Sequence, residues 1–297
     1  MNLLVIAGPT ACGKTAMGIN LAKELNGEVI SGDSMQVYRY MDIGTAKVKS
    51  EEMRGIPHHM IDIIYPDEPF SVADFTKRAV SYINEIINRG KLPILVGGSG
   101  FYINALLCGI KFDETSIDIQ YRNEIYNFET AQLYNLLKEK DLLYAEYNKT
   151  NKARLVRGLE YFHSTGRKIS DYIEEQKKNP FAYNAQVFVL DIPRQELYNR
   201  INQRVDDMVK QGLVKEVEKL LEMGYNRNLT SMSSIGYKEI VQHKYDDLPI
   251  YQAIEDIKQN TRRFAKRQLT WFRNKTEATW VDRDIHEILH RIKSKKS

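Results

Sequence analysis

Eight residues near the start of the chain, Gly8-Pro9-Thr10-Ala11-Cys12-Gly13-Lys14-Thr15, constrain its fold more than any other stretch. They fit G-x-x-x-x-G-K-[ST], a loop whose backbone N–H groups turn toward an anion. The flanks agree with the match. Leu3-Leu4-Val5-Ile6-Ala7 is a short apolar run suited to a buried strand. Lys14 to Leu25 puts Met17, Leu21, Ala22 and Leu25 on one helical face. Strand, glycine loop and helix together aim a helix N-terminus at a phosphate. Lys14 would add a point charge, and the Thr15 hydroxyl is a candidate ligand for Mg²⁺. The loop specifies a phosphate without saying which molecule carries it.

A chain of 297 residues can bury a sizeable core, as one large domain or a domain with an insertion. Its net charge is only +4, so nucleic-acid affinity has to come from local clustering. No apolar run approaches the roughly 20 residues of a membrane span, and no secretory signal precedes the first strand. Cys12 and Cys108 form no C-x-x-C. A reduced, cytoplasmic setting and a monomeric chain with no membrane partner are expected.

The first ~110 residues alternate strands and helices, the pattern of a parallel α/β sheet. Further strands are expected at Glu28–Ser31, His59–Ile63 and Leu92–Val96, with a helix from a Ser71/Asp74 capping box to about Arg89. From Ile119 to Gln176 the sequence is helical and rich in Tyr and charge. Val187–Asp191 reads as a returning core strand. The organisation expected is therefore a phosphate-loop α/β core from residues 1–112 and 181–297, with a mainly helical insertion at 113–180. Beyond the returning strand, Arg194 to Met223 reads as one helix or two, broken near Gly212, and Tyr251 to Arg273 as another. A short strand at Ala278–Val281 and a helix from Asp284 to Lys293 close the chain.

Two further glycine-bearing turns follow strands, where ligands of parallel sheets sit. Asp33, in Ser31-Gly32-Asp33-Ser34-Met35-Gln36, is a candidate Mg²⁺ ligand or general base; an Asx turn is the bland alternative. Gly97-Gly98-Ser99-Gly100 lets a ligand approach the backbone closely, or simply makes a tight turn. The strand before it lacks the terminal Asp that many nucleotide hydrolases use for Mg²⁺. Lys258 to Lys275 holds seven basic residues and no acid, with Arg262, Lys266 and Arg273 on one face. Ile257, Phe264 and Trp271 mark an opposite face toward the core. A basic face over an apolar one suits an RNA backbone. Arg200 and Arg204 share a helix face, from which an arginine can reach a leaving group. His286-Glu287-Ile288-Leu289-His290 matches H-E-x-x-H, but no third zinc ligand follows it, and a terminal amphipathic helix is the better reading.

In order, these segments resemble the tRNA dimethylallyltransferases (tRNA isopentenyltransferases), with the bacterial-type ending. The resemblance rests on Gly8–Thr15, Ser31–Tyr38, Met41–Lys47, His58–Ile63, Phe70–Phe75, Pro93–Tyr102, Gly236-Tyr237-Lys238-Glu239 and Ala265–Arg273. The most specific parts are the run from Asp33 to Lys47 and the Ala-Lys-Arg-Gln-x-Thr-Trp helix. The family transfers a dimethylallyl group from dimethylallyl diphosphate to N6 of the adenosine 3′ of the anticodon, in tRNAs reading codons that begin with U.

The resemblance implies that Gly8, Pro9, Thr10, Ala11, Cys12, Gly13, Lys14 and Thr15 cradle the diphosphate with Mg²⁺ on Thr15 and Asp33. It makes Asp33 the general base, and Lys14, Thr15 and Arg204 its catalytic companions. Asp33, Ser34, Met35, Gln36, Ser99 and Gly100 would hold the adenosine. Asn123, Arg154 and Arg157, with Arg262, Lys266 and Arg267 on the basic helix, would meet the tRNA anticodon stem-loop. The insertion departs most from the family: Lys149-Thr150-Asn151-Lys152 stands where a His-Pro-Asn-Asp run is usual. A phosphate-loop small-molecule or nucleotide kinase, its insertion acting as a lid, is the competing reading. A non-catalytic RNA-binding protein with a relic loop is a third.

Overall fold

The computed structural model describes residues 1–110, 118–177 and 182–294. The chain forms two compact units, one of Met1–Leu107 with Tyr183–Ser297 and one of Cys108–Ala182. The junctions expected at 112/113 and 180/181 lie outside the described residues, as do Lys295 and Lys296 of the tail.

The larger unit begins β1 (Leu3–Ala7), α1 (Lys14–Glu24), β2 (Gly27–Ser31), α2 (Ser50–Met53), β3 (His58–His59), α3 (Val72–Asn88), β4 (Leu92–Gly97), α4 (Gly100–Leu107). The smaller unit is helical: α5 (Ile119–Tyr126), α6 (Thr130–Lys140), α7 (Leu142–Asn148), α8 (Lys152–Thr165) and α9 (Ile169–Lys177). The larger unit resumes with β5 (Ala185–Leu190), α10 (Arg194–Gln211), α11 (Leu213–Glu222) and α12 (Tyr237–Tyr245). It closes with α13 (Ile250–Lys275), β6 (Thr279–Val281) and α14 (Ile285–Ser294).

All six strands pair in parallel, in the order β3-β2-β4-β1-β5-β6. This is the parallel α/β sheet the alternation implied. Every residue of β1 is buried, as an inner strand covered on both faces must be. Leu3, Val5 and Ala7 enter one core cluster, while Leu4 and Ile6 enter the other, the period-2 alternation of a strand. Register sets the loops level: Ala7 pairs with Gly97, and Ser31 with Val96. The turns after β1, β2 and β4 therefore begin at one edge.

Local chemistry accounts for the element ends. Ser71 caps α3 by accepting from the Asp74 N–H, and Asp74 reaches back to the Ser71 N–H at 2.9 Å. Gly212, at φ 104°, breaks Arg194–Met223 into α10 and α11. The strand expected at His59–Ile63 shrinks to His58–His59. Met60 and Asp62 adopt left-handed backbone (φ 64° and 54°), which no strand accommodates.

A buried carboxylate ties β2 to its neighbours. Glu28 accepts from His59 Nε2 (2.7 Å), Arg89 Nη2 (2.7 Å) and Lys91 Nζ (2.9 Å). Burial pushes its pKa up, but the bonds from Arg89, His59 and Lys91 outweigh this and hold it at about 2, against 4.5. The folded value is depressed, so the stabilisation is present above the unfolded pKa and is lost as pH falls toward 2. At ~1.4 kcal/mol per unit it is on the order of 3 kcal/mol. Denaturant titrations across a pH series are expected to show Glu28→Gln less stable than wild type at pH ~7. The two should converge as pH drops below ~4; an equal gap at every pH would contradict the linkage.

Candidate active site

The phosphate loop is held open by strained backbone. Ala11 and Gly13 have φ of 63° and 93°, and Gly13 stands at the N-cap of α1 with no side-chain cap. The N–H groups of Gly13, Lys14 and Thr15 have no acceptor among the described residues. They are bare donors at the positive end of a helix. Lys14 Nζ donates to the Pro9 carbonyl at 3.2 Å, which keeps it folded over the loop. The Thr15 side chain is exposed and makes no hydrogen bond among the described residues.

Arg204 is a second cationic group beside the loop. It lies on α10, half-buried, and makes no hydrogen bond or ion pair among the described residues. Burial pushes its guanidinium pKa down, while Cys12, Glu52 and Asp33 act electrostatically to raise it. Those three neighbours place the charge beside the loop and beside Asp33. A buried cation without an acid partner is costly unless a ligand supplies the negative charge. Arg200, by contrast, pairs with Glu196 at 3.0 Å.

Asp33 combines both readings weighed for it. Its Oδ1 accepts the Met35 N–H at 2.9 Å, an Asx turn, and its second oxygen has no partner among the described residues. The turn thus fixes the carboxylate and leaves one oxygen for chemistry. The Thr15 hydroxyl and the second Asp33 oxygen, each without a partner among the described residues, are both of the hard oxygen type that Mg²⁺ takes.

The remaining residues of the run are framework. Gln36 accepts the Ser31 hydroxyl at 2.9 Å and donates to the Thr45 and Ala46 carbonyls, both at 3.3 Å. The turn it grips is gripped again from α11. One Glu216 carboxylate accepts the N–H groups of Asp42, Ile43 and Gly44 (3.0, 2.7 and 3.1 Å) and the Tyr237 hydroxyl (2.6 Å). A Cβ on Gly44 would stand 2.3 Å from the Tyr237 ring. Lys47 bridges Asp42 and Asp62 at 2.5 and 2.6 Å.

The β4 turn packs against α13. A Cβ on Gly100 would stand 2.1 Å from the Trp271 ring, which meets Phe101 edge-on. Ser34, Met35 and Ser99 are half-buried at this same edge of the sheet. The buried stripe of α13 is Ala253, Ile257, Ala265, Gln268 and Phe272. Of the residues expected on the core face, Ile257 is buried and Trp271, half-buried, packs against the core cluster; Phe264 is only half-buried, because the helix turns Ala265 and Phe272 inward.

Lys266, Arg267 and Arg273 are exposed, while Arg262 donates to Asn202 at 2.6 Å and Lys258 pairs with Asp206 and Glu255. The basic face is therefore narrower than its count of charges. Arg263, Lys266, Arg267, Thr270, Trp271, Asn274 and Lys275 line an open groove on it. Within the smaller unit, Asn123, Arg154 and Arg157 are exposed, Arg154 reaching Asn148 at 3.1 Å. At α14, His286 and His290 gather no third metal-ligating side chain among the described residues.

The family model described as IPP transferase matches residues 36–275. The chain belongs to the IPP transferase family. It is similar to the tRNA dimethylallyltransferase of Oceanobacillus iheyensis, at 51% identity over 97% of this chain and 95% of that one. That of Anoxybacillus flavithermus is 46% identical over 99% and 96%. Among solved structures, the full-length tRNA isopentenylpyrophosphate transferase of Bacillus halodurans superposes with a TM-score of 0.75, at 44% identity over 99% and 96%. A eukaryotic dimethylallyltransferase described as acting on tRNA superposes with a TM-score of 0.83, at 31% identity over 94% of this chain and 73% of that one.

The Met41–Lys47 and Gly236–Glu239 segments thus meet through Glu216, which no sequence motif singles out. Replacing it leaves one exposed and two part-buried N–H groups, and the phenol of buried Tyr237, short of an acceptor. Glu216→Ala is expected to lose about 3 kcal/mol in denaturant titration. An unchanged midpoint would show that the turn is held by other means.

Proposed function

We propose that this IPP transferase family member is a tRNA prenyltransferase that moves a dimethylallyl group from dimethylallyl diphosphate to an adenosine of tRNA. The acceptor is N6 of the adenosine 3′ of the anticodon, in tRNAs reading codons that begin with U. The observation that carries this reading is a set of donors without acceptors among the described residues: the N–H groups of Gly13, Lys14 and Thr15 at the start of α1, and Arg204. Arg204 lies within electrostatic reach of Cys12 in the loop and of Asp33, a carboxylate with one oxygen to spare. Full-length likeness to tRNA dimethylallyltransferases supports the same reading.

An exocyclic adenine amine is a weak nucleophile. The allylic carbon must therefore gain cationic character as its C–O bond to diphosphate breaks. Bare N–H groups, Lys14 and Arg204 stabilise the departing charge more than the ground state. Asp33 takes the N6 proton, which becomes acidic only as the C–N bond forms. Since Met35 occupies one Asp33 oxygen, we keep the other for that proton and assign Mg²⁺ to Thr15. The ion, when bound, would neutralise part of the diphosphate charge.

The adenosine leaves its stack to enter such a pocket, which costs least in a single-stranded loop. Ser34, Met35, Ser99 and Gly100 form its walls in this reading, with Gln36 holding the turn behind them. The exposed Lys266 and Arg267 of α13, and Asn123, Arg154 and Arg157 of the helical unit, meet the anticodon stem-loop phosphates.

The deciding experiment supplies labelled dimethylallyl diphosphate and unmodified tRNA, with ATP hydrolysis followed in parallel. Label in tRNA without ATP turnover is expected. ATP turnover driven by a small molecule, with no label in tRNA, would instead establish a kinase. Asp33→Ala is expected to lower kcat by at least ~100-fold with tRNA affinity little changed. A full-rate Asp33→Ala enzyme would remove the general-base assignment.

A further inference from the structure

Gln268 joins two turns of the sheet edge. It sits on α13 at 7% exposure, on the stripe otherwise filled by Ile257, Ala265 and Phe272. Its Oε1 accepts the Thr10 N–H at 2.9 Å, and its Nε2 donates to the Gly98 carbonyl at 2.9 Å. An N–H can only donate and a carbonyl only accept, so the two partners fix the amide's orientation. They also fix its neighbour. A Cβ on Gly98 would stand 2.3 Å from Nε2 and 3.1 Å from the Gly8 carbonyl. The β4 turn is glycine here because the clamp fills the space a side chain needs.

We propose that Gln268 is the positioning residue of the phosphate loop. It pins the Gly8–Thr10 arm to the β4 turn, so that the N–H groups of Gly13, Lys14 and Thr15 converge on the donor's diphosphate. The inference rests on reading this loop as a diphosphate site. Thr10 spends its own N–H on the clamp and offers none to the ligand. The division of labour is spatial: the first half of the loop is anchored, and the second half binds.

The clamp needs one neutral group carrying both an acceptor and a donor. Leu at 268 supplies neither, and leaves a part-buried N–H and a buried carbonyl unsatisfied. Glu at 268 keeps the acceptor, loses the donor and adds a negative charge beside an anion site. Protonated Glu recovers both functions, since its O–H can donate to Gly98 while its carbonyl accepts from Thr10. Lys266 and Arg267 immediately precede Gln268 and are exposed, so the helix that presents this basic face is bonded directly to the loop that takes the donor.

The test compares wild type, Gln268→Leu and Gln268→Glu in two measurements: calorimetric binding of Mg²⁺-pyrophosphate, and steady-state transfer with donor and tRNA varied separately. Gln268→Leu is expected to raise the pyrophosphate Kd and the donor KM by about 30-fold, with tRNA KM within about twofold of wild type. Gln268→Glu should show the same defect at pH ~8. Its rate relative to wild type should then climb as pH falls below ~6 and its carboxyl takes a proton. A purely structural role would lower melting temperature but leave donor KM alone and the Glu-to-wild-type ratio flat with pH. Either of those results overturns the proposal. Wild-type enzyme that neither binds pyrophosphate nor transfers label would sink the diphosphate reading, and this proposal with it.

Discussion

The parallel pairing of β1 between β4 and β5 is the constraint on which the site depends. It holds Ala7 level with Gly97 and Val189, so loops distant in sequence open at one edge. From that register follow the positions of Gly8, Gly32 and Gly98. Backbone packs on backbone between Gly32 and Gly97, where a Cβ on Gly97 would meet the Gly32 carbonyl at 2.4 Å, while the Cys12 and Gln268 side chains close on Gly8 and Gly98. The site is an arrangement of main chain first, with a few side chains added.

Those side chains divide by whether their hydrogen bonds are satisfied. Gln36, Glu216, Tyr237, Lys47 and Gln268 are committed to partners, and together they fix the turns. Arg204, the Thr15 hydroxyl, one oxygen of Asp33 and the first N–H groups of α1 have no partner among the described residues. A fold gains nothing from keeping a half-buried guanidinium unpaired. That cost is offset where an anion arrives during function, which is the role proposed for Arg204 beside the loop.

Much of this was legible in the sequence because it depends on local rules. The glycine loop, the alternation of β1, the Ser71/Asp74 cap and the break at Gly212 each follow from residues a few positions apart. The parallel sheet follows from their order. Less legible was whatever depends on partners far along the chain. Gln268 stands in the Ala-Lys-Arg-Gln-x-Thr-Trp run, but its partners Thr10 and Gly98 lie far away in sequence, and only the fold shows that it sits on the buried side between Ala265 and Phe272. Glu216 resembled any surface acid of an amphipathic helix. The narrowing of the basic face also needed three dimensions, since Asp206 and Asn202, which engage Lys258 and Arg262, come from α10. The third strand was overread because apolar residues hid the left-handed turns at Met60 and Asp62.

The central claim is that Arg204 and the phosphate loop form one leaving-group cradle. Calorimetric titration of Mg²⁺-pyrophosphate into wild type and Arg204→Ala tests it most directly, with chain folding monitored by circular dichroism. A folded Arg204→Ala chain is expected to bind pyrophosphate about 100-fold more weakly. A folded variant that binds it as tightly as wild type would contradict the account.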